Sequence, residues 1–214
     1  MRSELRILRA GDHRRMPWKN GGGETTEIAA FPADASLDTF QWRVSMARVA
    51  SDGAFSLFPG IDRTLTVLDG AGLQVRVGAS EPHALRLGDR PFAFPGDVDT
   101  HATLIDGAIT DLNVMTRRGS WAHAVRAIRI GGEIQITLAA SLTLLLSHDA
   151  ACVVQAAHQS CVLAPGDAVL AETLAGDTWR LQSPGQVFAI ELTPSDTLSV
   201  ASPVPDPSPQ SRAD

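Results

Sequence analysis

The sequence predicts an all-β protein, built as a sandwich or barrel of short strands. Its 214 residues are 44% hydrophobic and 20% charged, which is ordinary for a globular chain that buries a sizeable core. Many segments either alternate large and polar residues or are brief apolar runs bounded by Gly, Pro, Asp or Ser, and both patterns indicate strands. Helical periodicity is scarce, with short helical turns expected at most at 46–50 or 101–106. Many short strands at this spacing favour a sandwich or barrel.

The strands are clearest in the first half of the chain. Gln41–Val49 alternates large and polar residues, as do Thr64–Leu68 and Leu73–Val77. Two glycines in the link Asp69–Gly72 predict that the last two strands form a hairpin. Further strands are predicted at shorter apolar runs: Ile128–Ile130, Leu142–Leu146, Cys161–Leu163, Ala168–Leu170 and Val187–Leu192.

A faint internal repeat suggests that one β module is used twice. Leu65–Leu68 is followed by Leu85–Asp89, and Leu142–Leu145 is followed at a similar separation by Val162–Asp167. Fixed spacing between similar segments is the usual mark of a repeated structural unit.

The repeat leads to a prediction of two units and a tail. We place the boundary near Arg118, which gives an N-terminal unit at 1–118 and a C-terminal unit at 119–200. Residues 201–214 carry prolines at alternate positions, which cannot form a hydrogen-bonded ladder, so we predict a disordered proline-rich tail.

Composition and charge argue against several functional classes. The net charge of −6 and the absence of a Lys/Arg run make a nucleic-acid surface unexpected, although a local basic pocket for small anions remains open. The first residues lack the apolar core of a signal peptide, and 134–147 is too short and too polar to span a bilayer. A cytoplasmic protein with no membrane partner is therefore expected. In that setting two reduced, mostly buried thiols at Cys152 and Cys161 are favoured over a disulfide.

The segment MPWKNGGGETTE at 16–27 is the most unusual local feature. It contains Lys19, the only lysine of the chain, directly before Asn20 and three consecutive glycines. Glycines permit positive φ and close approach of the backbone to a ligand or to another strand, but they cost conformational entropy on folding. A flexible surface turn and a ligand-contacting segment are both consistent with this pattern.

Polar residues in strand-like segments are the candidates for a binding site. Arg43 and Ser45 share one face of their strand, and Asp111 shares a face with Asn113 and Met115. Such groups either point into a cavity or form ordinary solvated surface and ion pairs. Trp18 is either a lid or a core residue. The candidate ligand-binding residues are Trp18, Lys19, Asn20, Arg43, Ser45, Arg63, Asp111 and Asn113.

The motifs of common catalytic and cofactor sites are absent. No two histidines have HxH or HExxH spacing, and no GxSxG, GxxxxGK[ST] or GxGxxG motif occurs. We therefore expect no metal and no cofactor. His101 is the only histidine considered for acid/base chemistry, and a lone histidine near a turn is more often a surface group.

Four long segments of this sequence resemble the HutD/Ves family. They occur in family order and are Met16–Ile28 (MPWKNGGGETTEI), Trp42–Ala47 (WRVSMA), Asp52–Leu65 (DGAFSLFPGIDRTL) and Gly107–Gly119 (GAITDLNVMTRRG). The resemblance implies a cupin fold with two jelly-roll barrels in tandem, a bicupin of the RmlC type. Metal-binding cupins carry HxH with a later Glu and His. Here the corresponding stretch between Arg63 and Leu73 has no histidine, so the resemblance implies a barrel that has kept its cavity and lost its metal.

The resemblance also implies a function. HutD-type proteins are associated with bacterial histidine utilisation, as non-enzymatic modulators that sense an intermediate such as urocanate or a formylated glutamate, and Ves relatives are named for environmental stress. For a small anionic metabolite we expect Arg63 to supply a planar fork and Lys19 a flexible charge. Asn20, Ser45 and Asn113 would supply neutral hydrogen bonds. Arg43 is a second cation or a partner for Asp111. A homodimer is compatible with the sequence.

Two other classes of function remain open. The first is an isomerase, epimerase or hydrolase of small acids that uses Lys19 or His101 as its acid/base, because a fold alone does not exclude catalysis. The second is a protein-binding module whose glycine-rich segment docks on a partner. A ligand-sensing protein is favoured over an enzyme because no paired acid and base is evident.

Overall fold

The structure, a computed structural model, describes residues 4–18 and 21–195. Predicted site residues Lys19 and Asn20 lie outside the described residues, as does the predicted tail at 201–214. The first half of the chain contains β1 (Arg6–Leu8), a 3₁₀ helix (Ala10–Asp12), β2 (Arg14–Pro17), β3 (Gly23–Phe31), β4 (Trp42–Val49), β5 (Gly53–Ala54), β6 (Ile61–Asp69), β7 (Leu73–Val77), β8 (His83–Leu85), β9 (Phe92–Pro95), β10 (Thr100–Leu104) and β11 (Ile109–Arg117).

The second half continues in the same way. Its strands are β12 (Trp121–Arg129), β13 (Gly132–Thr137), β14 (Leu142–Ser147), β15 (Cys152–Ala156), β16 (Gln159–Leu163), β17 (Ala168–Glu172), β18 (Thr178–Ser183) and β19 (Gln186–Pro194). The all-β prediction is confirmed. No helix among the described residues has the length and apolar character needed to cross a membrane.

The strands form four antiparallel sheets. Residues 14–117 supply a six-stranded sheet in the order β2-β3-β4-β11-β6-β9 and a four-stranded sheet in the order β5-β10-β7-β8. The strands after β11, together with β1, supply a five-stranded sheet, β1-β17-β14-β19-β12, and a four-stranded sheet, β13-β18-β15-β16. Strand β1 pairs with β17, so the N-terminal strand lies with the later strands although it begins the chain.

Two local predictions were wrong. Residues 46–50 and 101–106 lie largely in β4 and β10 rather than in helical turns. Strands β6 and β7 belong to different sheets, so they do not form the predicted hairpin. Their link carries the chain from one sheet to the facing one through Gly70 and Gly72, at φ +92° and +111°. A Cβ at either glycine would collide with the backbone of a neighbouring segment, so this crossing requires glycine.

Hydrophobic side chains cover both faces of the six-stranded sheet. One face packs on its four-stranded partner, with Leu65 and Leu73 in the shared core. The opposite face packs on the five-stranded sheet, where Leu112 and Val114 meet Phe188. Each such fully buried side chain contributes roughly 1.5–3 kcal/mol. The central strands of this sheet, β4, β11 and β6, are therefore packed on both faces, and this packing holds their side chains in place.

A third core lies between the two sheets formed by the later strands. It is apolar and includes Cys152 and Cys161. Both cysteines are free and buried, as predicted.

Candidate ligand-binding site

Register brings the predicted polar residues together inside the first pair of sheets. On β11, Asn113 lies opposite Ser45 of β4. Two positions further along β11, Met115 lies between Arg43 of β4 and Arg63 of β6. Because alternate residues of a strand point to the same face, these side chains extend into the space shared with the four-stranded sheet, together with Asp111. The intervening residues Leu112 and Val114 point to the other face of the sheet, into the core shared with the five-stranded sheet, as the alternation predicted.

All five polar side chains in this space are buried rather than solvated. Exposure is 1% for Ser45 and Asp111, 4% for Arg63, 5% for Arg43 and 9% for Asn113. The solvated-surface interpretation is therefore wrong for this group. Buried charges require partners, because an unpaired ion loses several kcal/mol of hydration, so each contact in this cluster matters.

Arg43 is held by an acidic residue that the sequence did not single out. Its Nε donates to Oε2 of Glu27 over 2.6 Å, and its Nη1 donates to Oγ of Ser45 over 3.3 Å. The suggested pairing of Arg43 with Asp111 is replaced by this ion pair. Glu27 of β3 lies opposite Ser45 of β4, which places it next to Arg43 on the same face of the sheet, and the register of the two strands shifts only after Glu27.

Arg63 lies in an aromatic cage. Its guanidinium carbon is 4.7 Å from the ring centre of Phe55, 5.7 Å from Phe58 and 5.3 Å from Phe94, distances typical of cation–π contacts. Its Nη1 donates to the carbonyl of Ser56 over 3.3 Å, while Nε is buried without an acceptor. Burial lowers the pKa of Arg63 to about 10, and the charge of Asp111 opposes that shift. The guanidinium therefore stays cationic at neutral pH, and its Nε–H has no acceptor among the described residues.

Asp111 is the most perturbed acid of the cluster. Burial raises its pKa to about 7, and the positive charge of Arg63 opposes that rise. Its Oδ1 is buried without a hydrogen-bond donor, as is Oδ1 of Asn113. Buried polar atoms without partners are uncommon in folded proteins, and several close together indicate either a ligand or ordered water.

The glycine-rich segment packs tightly against β4. The ring of Trp18 rests on Gly23, and its Nε1 donates to Oγ1 of Thr25 over 2.8 Å. A Cβ at Gly23 would collide with the carbonyl oxygen of Arg48 and touch the Trp18 ring. Gly21 has φ +70°, which favours glycine. At Gly23 the missing Cβ allows the close approach of β3 to β4 and the seating of Trp18.

Other candidates lie elsewhere. His101 is exposed on β10, where it pairs with Arg76 and with Ala54, and it does not point into the polar cluster. Within residues 4–18 and 21–195, no three His, Cys, Asp or Glu side chains lie close enough together to hold a metal ion. The aromatic cage was missed from the sequence, although Phe55 and Phe58 lie in one of the distinctive segments.

A recess in the described part of the chain lies outside this cluster. Its volume is about 1280 Å³, and Trp121, Leu170 and Gln155 are among its lining residues. None of the predicted site residues that the structure describes lines it.

Solved structures with very different sequences share the fold of this protein. The fold is that of cupin proteins. A mutant oxalate decarboxylase of Bacillus subtilis aligns with a TM-score of 0.59 at 9% identity, covering 90% of this chain and 78% of its own. YlbA of Escherichia coli aligns with a TM-score of 0.61 at 8% identity, covering 89% and 90%. At these identities the likeness concerns the fold alone.

The particular family follows from closer matches. The HutD family model matches residues 10–189, and the chain belongs to the HutD family. A conserved protein of Pseudomonas aeruginosa PAO1 is 41% identical with a TM-score of 0.83, covering 89% of this chain and 99% of its own. HutD of Pseudomonas fluorescens SBW25, solved in a formate condition, is 33% identical with a TM-score of 0.73 and the same coverages.

Curated relatives match over a shorter stretch. Protein Ves of Citrobacter koseri is 44% identical over 119 residues, which is 54% of this chain and 61% of the relative. A 21.2 kDa protein encoded in the hutC 3′ region of Pseudomonas putida is 43% identical over 113 residues, which is 53% and 58%. The match therefore spans about three fifths of the length of these relatives. It also links the family to a histidine-utilisation gene region.

Proposed function

We propose that this protein binds a small anionic metabolite inside its first pair of sheets and thereby modulates histidine utilisation or a stress response. The observation that carries the proposal is the buried Arg63, whose Nε has no acceptor although the guanidinium stays charged at neutral pH. A carboxylate of the ligand would accept from Nε and replace the hydration that the side chain has lost.

Neighbouring groups support a ligand with both acceptors and donors. Arg43 adds a second cation, while Oδ1 of Asp111 and Oδ1 of Asn113 would accept hydrogen bonds. Urocanate and formylated glutamate offer both kinds of group. The Glu27 side chain keeps 15% of its surface exposed against 6% for Arg43, so the ligand would enter on the side of Glu27.

The glycine-rich segment supports a cap over this entrance. Trp18 is fixed to β3 through Thr25, and Lys19 follows it directly in the sequence. We propose that Lys19 and Asn20 contribute to the ligand site as a reaching cation and a neutral hydrogen-bonding group.

The nearly equal identities to Ves and to the hutC-region protein, 44% and 43%, extend the proposal to both branches of the family. Compared with this reading, an enzyme that depends on His101 is disfavoured, because that side chain is exposed on the outer face of β10.

A thermal-shift experiment tests the proposal. Urocanate and N-formylglutamate are added separately, and a ligand at a hundred times its Kd stabilises the native state by about 2.7 kcal/mol, which raises Tm by roughly 5–10 °C for a chain of this size. Arg63→Gln and Lys19→Ala should lose the shift. Arg118→Gln is the matched control, since Arg118 is half exposed and pairs with Asp62 and Asp97 at the surface. No shift with either compound, or an equal shift in Arg63→Gln, would contradict the proposed site.

A further inference from the structure

The buried polar cluster is already close to charge balance before any ligand enters. Its ionisable members in the described residues are Glu27 from β3, Arg43 from β4, Arg63 from β6 and Asp111 from β11. With both acids ionised, the two positive charges are cancelled by two negative ones. A monoanion that binds here adds a negative charge to a nearly dehydrated space, where an uncompensated charge is costly.

The four charges are not paired in the same way. Glu27 contacts Arg43 directly, over 2.6 Å. Asp111 acts on Arg63 through its charge, yet Oδ1 of Asp111 and Nε of Arg63 have no hydrogen-bond partner among the described residues. Neutralising Asp111 therefore breaks no hydrogen bond at Oδ1, whereas neutralising Glu27 would remove a charged bond that holds Arg43.

A carboxylate seated on Arg63 would lie in the same buried space as Asp111, which already interacts with Arg63 through its charge. When two carboxylates share a desolvated site, ionisation of one strongly disfavours ionisation of the other. Asp111 is 1% exposed on a strand that is paired on both sides, at Ala47 and Val67, so water screens the repulsion only weakly.

We propose that a monoanionic carboxylate enters this site together with one proton, which is taken up by Asp111. The inference rests on the proposed function, because it concerns the same site. The bound proton forms an O–H bond on Asp111, the ligand stays unprotonated, and the total charge of the cluster is unchanged by binding. The neutral acid can then donate to an oxygen of the ligand, a hydrogen bond that its ionised form cannot make.

One consequence is that affinity depends on pH. In the free protein burial already holds the pKa of Asp111 at about 7, so below neutrality the proton is in place before the ligand arrives. Above that range each binding event has to draw a proton from solvent. The Kd for a monoanion should therefore rise about tenfold per pH unit above about pH 7.5. A ligand that carries its own positive group would escape this dependence.

Proton uptake can be counted directly by calorimetry. Urocanate is titrated into the full chain at about pH 8 in two buffers of different ionisation enthalpy, and the difference in heat gives the protons taken up per ligand. We expect about one for the wild type and about zero for Asp111→Asn, a neutral isostere. Asp34→Asn is the matched control, because Asp34 is exposed in the loop between β3 and β4, and its variant should behave as wild type.

The outcomes separate this inference from the proposed function. Binding without proton uptake in the wild type, or equal uptake in Asp111→Asn, would overturn the inference and leave the proposed function standing. Failure of urocanate and N-formylglutamate to bind the wild type between about pH 6 and pH 9 would overturn both. If Asp111→Asn does not fold, carboxyl-carbon NMR of aspartate-labelled wild type decides. One buried carboxyl should become protonated when urocanate is added at about pH 8, and no change would overturn the inference.

Discussion

Arg63 and Asp111 lie on neighbouring strands of one sheet, and each offsets the effect of burial on the pKa of the other. The carboxylate of Asp111 raises the pKa of a guanidinium that burial lowers, and the guanidinium lowers the pKa of a carboxyl that burial raises. Neither Nε of Arg63 nor Oδ1 of Asp111 has a hydrogen-bond partner in the described part of the chain. The pair is thus coupled through charge while keeping hydrogen-bonding positions free for a third group.

The burial of Asp111 predicts a pH dependence of stability without any ligand. The folded pKa of Asp111, about 7, lies above the ordinary value of 3.8, so between these values the folded state holds a proton that the unfolded state has released. The stabilising contribution is therefore complete below the unfolded pKa and is lost as pH rises through the folded one. Relative to Asp111→Asn, the wild type should lose about 1 kcal/mol per pH unit between about pH 5 and pH 7. Urea unfolding of both proteins measures it, and parallel pH profiles would contradict it.

His123 predicts the opposite dependence. Its Nδ1 and Nε2 lie 2.7 Å and 2.8 Å from the hydroxyls of Thr116 and Thr64, and burial lowers its pKa to about 4, with Asp62 opposing the shift. The unfolded state therefore binds the proton first as pH falls from about 6.5 towards 4. Stability should decrease by up to about 3 kcal/mol over that range.

The variant His123→Gln isolates this contribution, because glutamine keeps hydrogen-bonding capacity without titrating near neutral pH. Between about pH 6.5 and pH 4.5 its stability should fall less steeply than that of the wild type. Equal slopes for the two proteins in urea unfolding would show that His123 is not the responsible group.

Gly96 should be required for the position of Arg63. A Cβ at this residue would lie 3.0 Å from Cδ of Arg63 and 3.0 Å from the carbonyl oxygen of Ile61. Gly96→Ala should cost about 1–2 kcal/mol by overpacking and should weaken urocanate binding about tenfold, because the guanidinium moves. Gly53→Ala is the control, since nothing lies within 4 Å of its added Cβ. Unchanged affinity for urocanate in Gly96→Ala would show that Gly96 is not needed to position Arg63 for binding.

Gly23 should be required for stability. A Cβ here meets the backbone carbonyl of Arg48 on β4, which cannot retreat without opening the sheet, as well as the Trp18 ring. Gly23→Ala should lower the free energy of unfolding by about 1–3 kcal/mol. By contrast, Gly11→Ala adds a Cβ with nothing within 4 Å and should be close to neutral. Denaturant titrations that rank the two variants equally would rule out the close approach.

The two cysteines should be unreactive in the folded protein. Burial raises the pKa of Cys152 to about 11, with Cys161 adding to the rise, and burial also raises the pKa of Cys161. Little thiolate is present at about pH 8, so a disulfide reagent should react with neither thiol until denaturant is added. Rapid modification of the native protein would show that this core opens.

The all-β fold class and most of the polar set could be predicted from the amino-acid sequence. Alternation placed Arg43 and Ser45 on one face of β4, and Asp111 and Asn113 on one face of β11, because side chains in a strand alternate whatever the surroundings. Distinctive segments such as Met16–Ile28 pointed to the family whose model matches residues 10–189.

What those residues contact became known from the folded structure. The pairing of β3 with β4 brought Glu27 to Arg43, the folded loops brought Phe55 and Phe58 to Arg63, and the link at Gly72 crossed between sheets where a hairpin was expected. The physical reason is range. Periodicity reports which face a side chain takes on its own strand, whereas ion pairs, aromatic cages and sheet membership depend on segments that are distant in sequence and meet only when the core packs.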